Sequence, residues 1–201
     1  MEREKVLVPE AELRHQREFG ARVRAMFASR EAHPIACVDT FGCQQNVADG
    51  QKLMGMLEQM GFTFTVEPRE ADLVILNTCA VREHAEQRVF GNLGLLTHTK
   101  RENPEQVIAL CGCMAQEERV SKRVRESYRH VDLVFGPHAL WKFPELLWQV
   151  YETKKRVFSV ADEHGCLAEG IPAVREDRVK AWVSIMYGCN NFCSYCIVPY
   201  V

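Results

Sequence analysis

Apolar residues are sparse at the start of the chain and then fall into short runs. Residues 1–32 are highly charged, and their few apolar positions recur at helical spacing, which predicts an amphipathic surface helix. From Ile35 onward, short continuous apolar runs alternate with longer stretches in which apolar residues recur every three or four positions. The short runs predict strands at residues 35–38, 62–66, 72–76, 107–111 and 132–135.

The longer stretches that follow the runs at 35–38, 72–76, 107–111 and 132–135 predict helices. Gly61 directly follows the first such stretch and is expected to cap the C-terminus of its helix. Strands that are apolar on both faces and alternate with helices are typical of a parallel sheet covered on both sides. We therefore expect a doubly wound α/β domain, Rossmann-like or flavodoxin-like, over residues 33–152.

The pattern changes after residue 152. Residues 153–178 are polar and irregular and are predicted to form a linker, with one further strand at residues 157–160. Residues 182–186 are apolar again and predict a strand that leads into Gly188 and Cys189. We interpret residues 179–201 as the start of a second domain, truncated here.

Composition restricts the functional classes. The 201 residues carry a formal net charge of −2, so overall charge predicts no partner, and nucleic-acid binding would need a local basic face. The charged N-terminus does not resemble a signal peptide, and no apolar run approaches the roughly 20 residues that span a membrane. We expect a cytoplasmic protein without membrane contact. In that compartment nine cysteines favour metal or redox chemistry over disulfides.

Three cysteines directly follow predicted strands. Cys43 comes after the first strand, Cys79 after the third and Cys113 after the fourth. The carboxyl ends of parallel strands share one edge of a sheet, and each cysteine is also expected to open a helix, whose dipole favours thiolate. The pattern therefore predicts that the three thiols converge.

Other interpretations of these cysteines exist. Buried structural cysteines are common, and we prefer that interpretation for Cys37 and Cys111, which lie inside strands. Structural zinc sites usually have four ligands with at least one close pair, whereas here three distant ligands converge. An iron–sulfur cluster with one open iron fits better. Cys166, in the linker, is expected to be a spare thiol.

A second group of cysteines stands near the end of the chain. Cys189, Cys193 and Cys196 fall within eight residues, a spacing that lets one loop surround a cubane cluster. Three thiolates would ligate three irons of a [4Fe–4S] cluster and leave the fourth iron open to a cofactor. A zinc knuckle would need a fourth ligand, and a redox dithiol would leave one cysteine unexplained.

These motifs resemble a known family. The spacing of the terminal cysteines, with Tyr195 before the last, resembles the signature of radical S-adenosylmethionine enzymes. Three upstream segments are similar, in matching order, to the motifs of the methylthiotransferase family, and the match covers residues 35–201. The segments are GCQQN (42–46), NTCAVR (77–82) and GCMAQ (112–116).

The resemblance implies two [4Fe–4S] clusters. One would be held by Cys43, Cys79 and Cys113, and the other by the three terminal cysteines Cys189, Cys193 and Cys196. The open iron of the second cluster would bind S-adenosyl-L-methionine, with Tyr195 near the adenine. No residue is assigned as a catalytic acid or base.

The activity that the resemblance implies is radical insertion of a methylthio group. Gln44 together with Asp49 favours the branch that acts at C2 of N6-dimethylallyladenosine next to the anticodon of tRNA, although Gln45 replaces the methionine usual there. Alternatives are methylthiolation of a ribosomal protein side chain or of threonylcarbamoyl-adenosine. A non-catalytic metal-binding module is a further alternative.

The resemblance also implies partners. They are the tRNA anticodon loop and an electron donor such as flavodoxin or ferredoxin. The protein itself is expected to be a monomer. Basic residues that could meet phosphates near the cluster edge are Arg82, Arg88, His98, Lys100 and Arg101. A complete radical barrel would need several more strand–helix units, so we do not expect residues 1–201 to turn over alone.

Overall fold

The computed structural model describes residues 6–30, 32–81, 83–160, 166–175, 179–186, 188–189 and 191–200. Its strands are β1 (Val6–Leu7), β2 (Ile35–Phe41), β3 (Thr63–Phe64), β4 (Leu73–Thr78), β5 (Val107–Gly112), β6 (Leu133–Phe135), β7 (Val157–Ser159) and β8 (Cys166–Leu167). Its α-helices are α1 (Glu10–Phe27), α2 (Gln44–Gln59), α3 (Glu83–Glu102), α4 (Cys113–Gln116), α5 (Glu118–Ser127) and α6 (Phe143–Thr153). Short 3-10 helices cover Pro137–Lys142 and Val198–Tyr200.

Six of the strands form one sheet in which every neighbouring pair is parallel. Their order is β3-β2-β4-β5-β6-β7, so the direction of winding reverses between β2 and β4. This is the flavodoxin-like order with one added strand, and ligands of such sheets bind at the reversal point. The predicted parallel α/β sheet is confirmed. Strands β1 and β8 form a separate parallel pair.

The core lies on both faces of this sheet. On one face α1, α2 and α6 contribute side chains such as Phe27, Leu57 and Leu147. On the other face α3 and α5 contribute side chains such as Leu93 and Val124. The central strands β4 and β5 are buried along their whole length, because alternate side chains enter each of the two layers. Two-sided burial explains why these strands are continuously apolar.

Several boundaries differ from the predicted ones. Strand β2 extends to Phe41, three residues further than its apolar run, because its polar end continues to pair with β4. The strand predicted at residues 157–160 is β7, the edge strand beside β6. Gly61 has the positive φ of +89° expected after a helix. In the described part of the chain no helix is both long and apolar enough to cross a membrane.

The strand predicted at residues 182–186 is not formed. This segment has no regular structure, and its apolar side chains Val183, Ile185 and Met186 are largely exposed. A parallel strand needs a neighbour to satisfy its backbone hydrogen bonds, and no described strand pairs with this segment. The apolar pattern therefore did not predict the conformation of this segment, and the prediction of a strand here is wrong.

Candidate metal centre at the carboxyl edge of the sheet

Three cysteines meet at the carboxyl edge of three adjacent strands. Register places Phe41 of β2 opposite Thr78 of β4, and Thr78 opposite Gly112 of β5. Cys43 lies two residues beyond this level, and Cys79 and Cys113 lie one residue beyond it. Neighbouring strands are about 4.8 Å apart, so the three residues share an edge roughly 10 Å wide. The edge includes the reversal point between β2 and β4.

The three cysteines do not open helices in the same way. Cys43 is the N-cap residue of α2, and Cys113 is the first residue of the short helix α4. Cys79 lies in a loop, because α3 begins only at Glu83, so the prediction that each of the three cysteines opens a helix is wrong for Cys79. Its sulfur is nevertheless supported by a backbone donor, the N–H of Val81, at 3.4 Å.

Gly112 permits the turn that presents Cys113. Its φ of +93° lies in a region that residues with a Cβ rarely adopt. A Cβ at this position would also lie 2.3 Å from the backbone oxygen of Thr78. The glycine thus lets the end of β5 approach the end of β4, which brings Cys113 close to Cys79.

Asn46 connects the Cys43 loop to β4. Its Oδ1 accepts hydrogen bonds from the backbone N–H of Cys43 at 3.2 Å and from the Cys43 thiol at 3.3 Å. Its Nδ2 donates to Asn77 Oδ1 at 3.2 Å and to Thr78 O at 3.0 Å. Asn77 Nδ2 donates in return to the backbone oxygen of Asn46 at 2.7 Å. This reciprocal pairing fixes the position of Cys43 relative to the residue that precedes Cys79.

Asn46 and Asn77 are functional residues that the hydrophobic pattern and the cysteine spacing did not predict. Asn46 stands three residues after the N-cap, the position whose side chain reaches back to the cap in a capping box. The position of Asn46 relative to Cys43 could therefore have predicted its hydrogen bond to the Cys43 backbone. For Asn77, at the end of a buried strand, the signal was a polar residue that is 1% exposed and therefore needs a partner.

Electrostatics oppose ionisation of Cys113. Burial raises the pKa of its thiol to about 12, with further contributions from the neighbouring groups Cys79, Asp49 and Cys43. The expected helix-dipole effect is outweighed, because α4 is only one turn long. Coordination to a metal deprotonates a thiol outright and supplies the compensating positive charge. Three close thiols beside a buried carboxylate are therefore a donor set that fits a cationic metal centre.

Asp49 adds to the negative character of this edge. It is buried on α2, and burial raises the pKa of its carboxyl group while Lys52 opposes the rise. Asp49 Oδ1 accepts hydrogen bonds from Gln45 Nε2 at 3.0 Å and from Lys52 Nζ at 3.3 Å.

The three remaining cysteines of the first 170 residues lie elsewhere. Cys37 and Cys111 are buried inside β2 and β5, as expected for structural cysteines. Burial raises the pKa of Cys37 to about 11 and that of Cys111 well above the ordinary value. Cys166 is a half-buried free thiol in β8.

The spacing at the sheet edge does not match a site for a single ion. Within the described ranges no three His, Cys, Asp or Glu side chains are gathered closely enough to hold one metal ion. An iron–sulfur cluster makes a different demand, because each thiolate ligates a separate iron atom. An edge three strands wide is compatible with the larger group.

Two of the terminal cysteines, Cys193 and Cys196, lie in one turn. The N–H of Cys196 donates to the backbone oxygen of Cys193 at 3.0 Å, which closes a turn between them. Cys193 is exposed, and Cys189 and Cys196 are half-buried. Tyr195 is 92% exposed, so the face predicted to meet an adenine is accessible.

The structure separates the predicted RNA contacts. Lys100 donates to Gln106 O and, at 2.8 Å, to Asp132 Oδ2, which places it beside the amino ends of β5 and β6. Lys100 and its neighbours His98 and Arg101 are therefore at the edge opposite the cysteines, and this prediction is wrong for them. Arg88 is exposed nearer the start of α3, and Arg82 lies outside the described residues.

Comparison with known proteins identifies the family. Residues 36–136, which contain all three cysteines of the sheet edge, match the family described as "Uncharacterized protein family UPF0004". The chain belongs to this family. The matched segment begins in β2 and ends directly after β6, so it covers most of the sheet.

Individual relatives give further detail. A protein of Acetivibrio thermocellus named tRNA-2-methylthio-N(6)-dimethylallyladenosine synthase is 46% identical over 204 aligned positions, covering 100% of this chain and 42% of the relative. Proteins with the same name are 52% identical in Caldicellulosiruptor saccharolyticus, over 81% of this chain and 34% of the relative, and 45% identical in Clostridioides difficile, over 98% and 42%. The predicted resemblance to methylthiotransferases is confirmed. The chain spans less than half the length of these relatives.

Proposed function

We propose that the protein is a tRNA methylthiotransferase that places a methylthio group on C2 of N6-dimethylallyladenosine next to the anticodon. The observation that carries the proposal is that β2, β4 and β5 end at the same level of the sheet. This register gathers Cys43, Cys79 and Cys113 at one sheet edge. The choice of substrate is supported by the names of relatives that are 45–52% identical to this chain.

The proposed cofactors are two [4Fe–4S] clusters and S-adenosyl-L-methionine. Cys43, Cys79 and Cys113 would hold the first cluster, and Cys189, Cys193 and Cys196 the second. When bound, the clusters would supply the one-electron reduction of S-adenosylmethionine and the sulfur to be transferred. The protein would act as a monomer that receives electrons from a small redox protein such as flavodoxin or ferredoxin.

The chain's own residues would prepare the first site. Asn46 holds the Cys43 loop against β4, and Gly112 lets Cys113 approach it. Buried residues of the strands beneath, including Asn77 and Thr78, would close the inner side of the site to water. The outer side would remain open to the anticodon loop, whose unpaired bases can be presented to a protein surface.

Nucleoside analysis of tRNA tests the proposed function. In a strain that lacks the gene, mass spectrometry of digested tRNA should show loss of 2-methylthio-N6-dimethylallyladenosine and accumulation of N6-dimethylallyladenosine. The full-length gene should restore the product. Unchanged methylthio nucleosides in the deletion strain would reject the tRNA substrate and would favour a protein side chain instead.

A matched pair of cysteine variants links the product to the sheet edge. Cys113→Ala should fail to restore the methylthio nucleoside, because it removes one of the three converging thiols. Cys166→Ala removes a half-buried thiol outside both groups and should restore it fully. Equal restoration by the two variants would show that the sheet edge is not the site.

A further inference from the structure

Three described residues of the stretch that precedes the terminal cysteines contact α2. Pro172 lies against Gly55, the N–H of Val174 donates to the backbone oxygen of Gln51 at 3.0 Å, and the Ser184 hydroxyl donates to Gln45 Oε1 at 3.4 Å. As the segment advances, its contacts move toward the N-terminus of α2. From Gln45 to Gly55 the contacts span eleven helical residues, or about 15 Å of helix. They end two residues from Cys43.

Gly55 makes the closest of these contacts possible. A Cβ on Gly55 would lie 2.4 Å from the backbone oxygen of Pro172 and 2.8 Å from the backbone nitrogen of Ala173. Both atoms belong to backbone, so no side-chain rotation could relieve the overlap. Gly55 is buried, and the backbone of residues 172–173 lies directly against it.

Gln51 provides the second contact, one helical turn from Gly55. Its backbone oxygen accepts the Val174 N–H within a helix whose own hydrogen bonds are already formed. Residues four apart lie on the same face of a helix, so Gln51 and Gly55 form one continuous surface. Residues 172–174 approach this surface through their backbone atoms.

We propose that Gln51 and Gly55 of α2, together with Gln45 near the N-terminus of this helix, form a docking surface that positions the terminal cysteine loop relative to the sheet-edge site. Gly55 is its main positioning residue, since the absence of a side chain there sets how closely the segment lies. The inference rests on the proposed function, in which two cysteine sites cooperate, and it adds the means by which their separation is fixed.

The substitution Gly55→Ala separates docking from folding. Alanine is a better helix former than glycine, so α2 should remain intact while the segment is displaced. Gly94→Ala is the matched control: Gly94 is also inside a helix, and a Cβ there would meet nothing within 4 Å. The thermal midpoint of both variants should equal or exceed that of the unmodified protein.

Hydrogen exchange of the Val174 amide measures whether the segment stays bound to α2. In the full-length protein, Gly55→Ala should speed exchange of the Val174 amide by roughly tenfold or more, because its hydrogen bond to Gln51 is lost. Trypsin should also cleave faster after Arg175, which is exposed and adjacent. Gly94→Ala should change neither rate.

A second set of measurements tests whether Gly55 positions the two cysteine sites relative to each other. Gly55→Ala should keep the iron content of the unmodified protein but should lower the yield of methylthio nucleoside and reduce the magnetic coupling between the two reduced clusters in electron paramagnetic resonance spectra. A purely structural role would not alter the coupling while iron content and thermal midpoint stay unchanged.

The outcomes distinguish the two proposals. Unchanged exchange of Val174 in Gly55→Ala would overturn the docking surface. Faster exchange with full product yield and unchanged coupling would overturn its positioning role. If the unmodified protein forms no methylthio nucleoside while the exchange difference persists, the proposed function fails and the docking surface stands.

Discussion

Replacement of Asn46 by alanine should loosen the sheet-edge site more than any single exposed change. Asn46 is 1% exposed, and its side chain makes four hydrogen bonds that join the Cys43 loop to the end of β4. Removal leaves the Asn77 amide oxygen without its donor in a buried setting. Buried hydrogen bonds contribute roughly 0.5–1.5 kcal/mol each, and an orphaned polar group costs about 1–3 kcal/mol. We expect a loss of about 3 kcal/mol in the free energy of unfolding.

Urea denaturation of the metal-free protein measures this loss. A domain of this size has an m-value of about 2 kcal/mol per molar urea, so the midpoint should fall by about 1.5 M. Asn92→Ala is the control, since Asn92 is half-buried on α3 and has no side-chain hydrogen bond to any residue that the structure describes. Its midpoint should change by no more than about 0.3 M.

A conservative variant separates the two halves of the Asn46 network. Asn46→Asp keeps the acceptor for the Cys43 N–H but loses the Nδ2 donor to Asn77 and Thr78. It also adds negative charge beside the thiols, and we expect it to be at least as destabilising as the alanine variant. A midpoint within about 0.3 M of the unmodified protein for both variants would refute the reasoning that this network holds the Cys43 loop in place.

Two further predictions concern single residues. Gly112→Ala should lower the free energy of unfolding by more than about 3 kcal/mol, because the φ of Gly112 is +93° and the new Cβ would overlap the Thr78 backbone oxygen. Gly170→Ala is the control: Gly170 has a φ of +72° but open space around it, so the loss should be about 1 kcal/mol. Equal losses for the two variants in urea denaturation would contradict this reasoning. Burial lowers the pKa of His130 despite its hydrogen bond to Leu93 O. At lower pH the unfolded chain therefore binds a proton at this histidine more readily than the folded chain does. The contribution of His130 to the free energy of unfolding should be fully present above about pH 6.5 and should fall below it. His130→Gln should flatten that dependence below about pH 6.5, and an unchanged slope would contradict the assignment.

Periodicity predicted the sheet because its strands are buried on both faces. Strands β4 and β5 are continuously apolar for that reason, and their pattern located them within two residues. The polar end of β2 was missed, since Asp39 and Thr40 pair through backbone atoms that leave no mark in the hydrophobic pattern. A related limit applies to residues 182–186, where an apolar pattern predicted a strand but no described strand pairs with the segment.

The convergence of Cys43, Cys79 and Cys113 was predictable from topology alone. Each follows a parallel strand, and adjacent parallel strands end at one edge. The tertiary details were not predictable, because the pKa of Cys113 depends on how deeply it is buried and on which charges surround it. The contact between the linker and α2 was also missed. It depends on the missing Cβ of Gly55, and a glycine within a helical stretch does not show in sequence which backbone lies against it.

Iron content tests the central claim most directly. After anaerobic reconstitution, the full-length protein should contain about eight irons, as two [4Fe–4S] clusters require. Simultaneous replacement of Cys43, Cys79 and Cys113 by alanine should lower the content to about four irons and leave the cluster of the terminal loop intact. Retention of all the iron in this triple variant, or zinc in place of iron in the unmodified protein, would contradict the proposed centre at the sheet edge.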